Sequence, residues 1–145
     1  MDVQGDEPLI TPDDIRRVID LKRIHHDAII NTYVEDTHGK ESLNSIKVIT
    51  DGNHVSNLLY ASRLPIPYLG NMYKRQVCIY GFYKEQLIDL FGVSKHKGLL
   101  ESREDVHILR CLDNNRKVMM VKLRGRYWAV DVPEDIKKVE DILGE

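Results

Sequence analysis

The chain lacks the features that would direct it to a membrane, a zinc ion or a nucleic acid. Its 145 residues include only two cysteines, and these do not have the close cysteine and histidine spacing of a zinc site. No apolar run approaches the roughly 18 residues that a membrane helix needs, and the first residues do not have the order of a secretory signal. A net charge of −2 provides no general attraction to nucleic acid. These absences predict a cytoplasmic protein that neither inserts into a membrane nor binds nucleic acid.

The composition is that of an ordinary folded domain. Apolar residues make up 42% of the chain and charged residues 30%, close to the averages for soluble globular proteins. A chain of this length can bury a sizeable core. We therefore expect residues 1–145 to form a single domain.

Helix and strand signals alternate along the chain. Thr11, Pro12 and the acids that follow them predict a helix start, and basic residues predict its end near His26. Runs of β-branched, aromatic and other apolar residues predict strands at 28–34, 46–50, 57–62, 76–82, 117–123 and 127–130. Further helices are predicted at 84–91, 99–112 and 133–143, and surface loops at 36–44 and 92–98. This alternation predicts an α/β fold with a mostly parallel, mixed sheet and flanking helices.

Two aspartates follow extended segments and precede predicted helix starts. Because such sheets bind ligands at the carboxyl ends of their strands, Asp6 and Asp131 can meet at one site although they are distant in sequence. Mg²⁺ prefers oxygen ligands and usually binds through one or two carboxylates together with substrate phosphates. The spacing alone leaves other interpretations open, since Asp6 could be a turn residue and Asp131 could cap the last helix.

Four blocks, in order, resemble a known family of enzymes. They are Val3–Ile10, Tyr60–Pro67, Arg75–Gly81 and Val130–Ile136, and together they span nearly the whole chain. The family is that of the 3-deoxy-manno-octulosonate (Kdo) cytidylyltransferases, or CMP-Kdo synthetases, which couple Kdo to CMP for lipopolysaccharide biosynthesis. The resemblance implies a Rossmann-like fold of the nucleotide-diphospho-sugar transferase type.

The resemblance also implies roles for seven residues. Asp6 and Asp131 match the two aspartates with which the family holds Mg²⁺ against the nucleotide phosphates and the sugar. The substrate-binding residues would be Gln4, in the same loop as Asp6, Arg63 and Arg75, near the sugar carboxylate, and Tyr80 and Glu104, in the same pocket. Guanidinium groups suit such a carboxylate because each can donate two parallel hydrogen bonds.

The activity implied by the resemblance is the transfer of CMP from CTP to a 2-keto sugar acid, with release of pyrophosphate, by a homodimer. The family's glycine-containing basic loop, which grips the nucleotide phosphates, has no counterpart in these residues. We therefore expect the chain to be the C-terminal part of a cytidylyltransferase domain, truncated at its N-terminus and inactive by itself. Two alternatives stay open: the acceptor could be another 2-keto acid of the amino-Kdo or sialic acid type, or the chain could act only with an N-terminal partner.

Overall fold

The computed structural model of the protein describes residues 1–92 and 96–144. Its helices are α1 (Pro12–Ile24), α2 (Lys84–Phe91), α3 (Leu99–Glu104), α4 (Leu109–Asp113) and α5 (Pro133–Leu143). Its strands are β1 (Asp2–Val3), β2 (Ile29–Asp36), β3 (Lys47–Thr50), β4 (Val55–Ser62), β5 (Tyr73–Gly81) and β6 (Val118–Lys122). Within these residues no helix has the length and apolar character needed to cross a bilayer.

The strands form one mixed sheet in the order β1-β5-β2-β6-β4-β3, and β3 also pairs with β5. In the described part of the chain β2 and β6 are the one parallel pair, and the remaining pairs are antiparallel. The predicted α/β class with a mixed sheet and flanking helices is confirmed. The sheet is less parallel than predicted, because the four strands from β2 to β5 follow one another without an intervening helix and can turn back directly.

A separate hydrophobic core covers each face of the sheet. Alternate residues of β2 point to opposite faces, so Ile29 and Tyr33 join one core, while Ile30 and Val34 join the other. The first core includes Leu90 of α2 and Leu109 of α4. The second includes Val18 of α1. The helices therefore form a layer on each side of the sheet.

The first helix begins as predicted. Thr11 Oγ1 accepts a hydrogen bond from Asp14 N at 3.3 Å, and Asp14 Oδ2 accepts one from Thr11 N at 2.9 Å. This reciprocal arrangement satisfies two backbone N–H groups that the helix leaves free at its start. The helix ends at Ile24, close to the predicted end, and Lys22 Nζ donates to His26 O at 2.7 Å in the turn that follows.

Two predicted elements are wrong. Residues 127–130 are not a strand, because Tyr127 O accepts a hydrogen bond from the Arg75 side chain rather than from a neighbouring strand. The predicted helix at 99–112 is interrupted at Asp105, whose φ of 52° lies in the left-handed region and ends α3. The predicted loop at 92–98 lies partly outside the described residues.

Candidate functional site

A cavity lies on one edge of β5, between its two short partner strands. The strand β1 pairs at Ile79 and Tyr80, and β3 pairs at Lys74 and Arg75. Between these pairings the cavity encloses about 380 Å³. Its lining includes five of the seven predicted site residues, namely Gln4, Asp6, Arg63, Arg75 and Asp131. The structure therefore brings together side chains that are up to 127 positions apart in the sequence, as with Gln4 and Asp131.

The acidic side of the cavity is formed by the loop after β1 and the segment before α5. The two segments are joined by a hydrogen bond of 2.8 Å from Val130 N to Asp6 O. Burial raises the pKa of Asp131, and the nearby charges of Asp6 and Asp135 raise it further. Asp6 Oδ1 is buried and has no hydrogen-bond partner within residues 1–92 and 96–144. A bound cation would therefore offset the charge repulsion at Asp131 and would give Asp6 Oδ1 a partner.

Asp131 does not cap the last helix. The N-cap position is Val132, and Asp135 accepts hydrogen bonds from Val132 N at 3.1 Å and from Asp131 N at 3.2 Å. Asp135 also accepts from Trp128 Nε1 and Lys138 Nζ, each at 2.9 Å. Burial favours a higher pKa for Asp135, but these hydrogen bonds together outweigh it and lower the pKa to about 2. The capping alternative for Asp131 is therefore wrong.

Glu7 is a further acidic residue of this cavity that the sequence analysis did not select. Its side chain is almost fully buried. Oε1 accepts a hydrogen bond from Cys78 N at 3.4 Å, whereas Oε2 has no partner in the described part of the chain. Burial raises the pKa of Glu7 to about 7, against the opposing effect of the Arg75 charge. Glu7 lies inside the Val3–Ile10 block, but nothing in the sequence indicated that its carboxyl group would be buried.

The Glu7 pKa predicts a pH dependence of folding stability. The folded state holds the proton that the unfolded chain releases near pH 4.5, so stability should fall as the pH rises from about 4.5 to 7. Replacing Glu7 with Gln removes this contribution, which amounts to roughly 3 kcal/mol. Urea unfolding without divalent ions should therefore show the largest gain for Glu7→Gln at pH 8 and little gain at pH 4. An equal gain at both values would contradict the assignment.

The basic side of the cavity carries two guanidinium groups. Arg63 donates to two neutral backbone carbonyls, Leu43 O at 3.0 Å and Asp105 O at 3.3 Å. Arg75 is buried and pairs through Nε with Asp36 Oδ2 at 3.3 Å. Both guanidinium charges act to lower the Asp131 pKa, in opposition to burial and the acidic neighbours. Cationic and anionic groups therefore face the same space.

Lys47 fixes the basic side in place, which the sequence analysis did not foresee. Its side chain is fully buried, and its Nζ donates to Ser45 O and Arg63 O, each at 2.7 Å, and also to Ser42 O. All three acceptor residues line the cavity. A lysine within the β-branched run of β3 was the available signal, but such a residue is equally typical of a solvent-facing edge.

Two predicted site residues lie away from this cavity. Tyr80 belongs to the core beside α2 and α4 and stacks on Phe82, with ring centroids 6.2 Å apart. Its backbone pairs with Asp2 of β1. Glu104 accepts hydrogen bonds from Tyr60 Oη at 2.7 Å and from Ser62 Oγ at 2.6 Å. Tyr80 and Glu104 are therefore not among the residues that line this cavity, and their proposed contact with the sugar acid stays a prediction.

The donor set fits a hard cation held partly by its substrate. Among the residues that the structure describes, no group of three or more His, Cys, Asp or Glu side chains is arranged to hold a metal. A closed zinc-type site would need such a group. Mg²⁺ needs fewer protein ligands, since water and phosphate oxygens complete its shell. Asp6 and Asp131, the predicted ligands, supply the oxygen donors that Mg²⁺ prefers.

Comparison with solved structures defines the class of the fold. The chain superposes on a structure of CMP:2-keto-3-deoxy-manno-octonic acid synthetase complexed with CTP, with a TM-score of 0.81 and 23% identity. The match covers 98% of this chain and 60% of that chain. The chain therefore has the same fold as the matched part of that synthetase.

Sequence comparison finds relatives that share one name. The chain is 35% identical over 156 residues to a 3-deoxy-manno-octulosonate cytidylyltransferase from Chloroherpeton thalassium, covering all of this chain and 61% of that protein. It is 31% identical over 152 residues to the enzyme of the same name from Solibacter usitatus, covering 99% and 58%. No protein-family model matches the chain. Over nearly its whole length the chain is similar to 3-deoxy-manno-octulosonate cytidylyltransferases, and it spans about 60% of the length of the curated relatives it matches.

Proposed function

We propose that this chain provides the sugar-acid and metal site of a cytidylyltransferase that transfers CMP from CTP to Kdo and releases pyrophosphate. The observation that carries the proposal is the cavity in which Asp6 and Asp131 face Arg63 and Arg75. The names of the relatives point to Kdo as the acceptor. The product, CMP-Kdo, would serve lipopolysaccharide biosynthesis. The cytoplasmic location and the homodimer stay predictions from the sequence.

In the proposed reaction the anomeric hydroxyl oxygen of Kdo loses its proton to solvent and forms a bond to the α-phosphorus of CTP. The bond from that phosphorus to the bridging oxygen breaks, and pyrophosphate leaves with the electron pair. A Mg²⁺ ion, when bound, would neutralise charge on the phosphate oxygens. Asp6 and Asp131 would hold it, which accounts for a buried Asp6 oxygen without a protein partner. The protein would thus act by positioning and by electrostatic stabilisation.

Arg63 and Arg75 would bind the carboxylate of Kdo. The hydrogen bonds of Arg63 described above go to neutral carbonyl oxygens, so its charge can also act on a ligand carboxylate. Arg75 uses Nε and Nη2 on protein partners, which leaves its Nη1 group available to a ligand in a cavity that this residue lines. Charge-assisted hydrogen bonds of this kind are roughly twice as strong as neutral ones.

Calorimetric titration of the chain with Kdo tests this assignment. We expect Kdo to bind and its methyl ester, which has lost the carboxylate charge, to bind at least roughly tenfold more weakly. The same preference should weaken in Arg63→Met, while Arg16→Met, a change at an exposed arginine, should leave it intact. Equal binding of the acid and the ester would contradict the assignment.

A further inference from the structure

Gln76 has a side-chain oxygen, Oε1, to which the proposed function assigns no role. The residue lies in β5, lines the cavity and is 4% exposed. Its backbone N–H donates to Ile46 O at 2.9 Å, which fixes the main chain at this point. Its side-chain Oε1 is buried and has no hydrogen-bond partner among the residues that the structure describes. A buried acceptor without a donor is unfavourable, so this atom marks a place where a ligand can contribute one.

The neighbouring Asn31 determines which end of the Gln76 amide stays free. Asn31 is fully buried at an irregularity in the β2–β5 pairing, and its Nδ2 donates to Ile79 O at 2.9 Å and to Val77 O at 3.4 Å. Backbone carbonyls only accept hydrogen bonds, so the NH₂ group of Asn31 must face them. Its Oδ1 then faces Gln76 and accepts from Nε2 at 2.6 Å. The amide of Gln76 cannot turn over without placing two acceptor oxygens together, and Oε1 is the atom left free.

We propose that Gln76 is a specificity-determining residue whose Oε1 accepts a hydrogen bond from a hydroxyl or amino group of the sugar acid. Asn31 is a positioning residue that holds the amide in this orientation. This inference rests on the proposed function. It adds that, at one contact with the sugar acid, the protein supplies the hydrogen-bond acceptor and the ligand supplies the donor. A ligand that supplies a donor here satisfies the buried oxygen. A ligand that has only hydrogen or an ether oxygen at the same position leaves it unpaired, and sites of this kind discriminate strongly against such analogues.

Binding of Kdo and a set of its analogues to the full chain tests the inference. Three series of analogues are needed, and in each series one hydroxyl at a time is replaced. The replacement is hydrogen in the first series, an amino group in the second and a methoxy group in the third. For the wild-type chain we expect one deoxy analogue to bind roughly tenfold more weakly than Kdo. The amino analogue at that position should retain affinity, and the methoxy analogue should lose it. In Gln76→Met this discrimination should disappear, while the affinities of the other analogues relative to that of Kdo should stay as in the wild type.

The matched control is Ser56→Ala, which also removes a buried oxygen without a partner, at a residue that does not line the cavity. It should bind every analogue as the wild type does. The inference is overturned if all deoxy analogues bind the wild type like Kdo, a result that needs no variant and does not depend on the folding of Gln76→Met. It is also overturned if the methoxy analogue binds and the amino analogue does not, because the free atom would then be a donor. Failure of Kdo itself to bind the wild type would instead contradict the proposed function, on which the inference rests.

Discussion

Replacing Asp131 with Asn should stabilise the Mg²⁺-free protein. It should also remove most of the contribution that this residue makes to the rate of CMP transfer. Burial and the charges of Asp6 and Asp135 raise the pKa of Asp131, so the ionised carboxylate is unfavourable in the empty site. The amide removes this repulsion and also removes a ligand from the proposed Mg²⁺ site. Thermal unfolding should show a higher melting temperature for Asp131→Asn without Mg²⁺. Mg²⁺ together with CTP should raise the melting temperature of the wild type more than that of the variant.

The catalytic part of this prediction needs an enzyme that binds the nucleotide. We define the completed enzyme as this chain fused to the roughly two fifths of the Chloroherpeton thalassium relative that it does not match. In the completed enzyme, Asp131→Asn should lower the rate of transfer by roughly 10²–10³-fold, the typical cost of losing one electrostatic stabiliser of the transition state. Asp13→Asn, at an exposed residue of α1, is the matched control and should change the rate little. Unchanged rates in Asp131→Asn would remove this residue from the site.

Replacing Arg75 with Met should cause the largest loss of stability, together with loss of Kdo binding. Arg75 forms an ion pair with Asp36 in which the two side chains are only 9% and 18% exposed. Removing one partner leaves the other charge buried, which typically costs about 3–5 kcal/mol. Arg75 also opposes the raised pKa of Glu7, so that carboxyl group should become harder still to ionise. Urea unfolding at pH 7 measures the stability, and calorimetric titration measures Kdo binding.

The double variant Arg75→Met with Asp36→Asn separates the two effects. It removes the charge that the single variant leaves unpaired, so most of the lost stability should return. Binding of Kdo should not return, because the guanidinium group is still absent. Arg16→Met, which breaks an exposed ion pair, should cost no more than about 1 kcal/mol. A stable double variant that binds Kdo like the wild type would show that Arg75 has only a structural role.

Local sequence signals were sufficient for most of the fold. Thr11, Pro12 and Asp14 carry the start of α1 within four consecutive positions, and β5 is an apolar run that the sequence marks clearly. The errors come from interactions between distant residues. The carbonyl of Tyr127 is taken by Arg75, 52 positions away, so an extended, strand-like sequence pairs with no strand. The break at Asp105 depends on a backbone conformation that is rare for a residue other than glycine.

For the site, family resemblance located five cavity residues but could not determine their environment. The burial of Glu7 and of Lys47 depends on how β1 and β3 meet the same edge of β5, which no local pattern reveals. The orientation of Gln76 depends on Asn31, 45 positions away. Tyr80 and Glu104 were placed by resemblance alone, and their packing shows contacts with the core and with β4 instead.

The most direct test of the central claim is pyrophosphate release by the completed enzyme with CTP, Mg²⁺ and Kdo. We expect release that depends on Kdo, stops when Mg²⁺ is removed, and is absent when the fused part of the relative is assayed without this chain. Under the same conditions the intact Chloroherpeton thalassium relative serves as the positive control. If the relative releases pyrophosphate with Kdo and a correctly folded completed enzyme does not, this chain does not provide the sugar-acid and metal site, and the account is wrong.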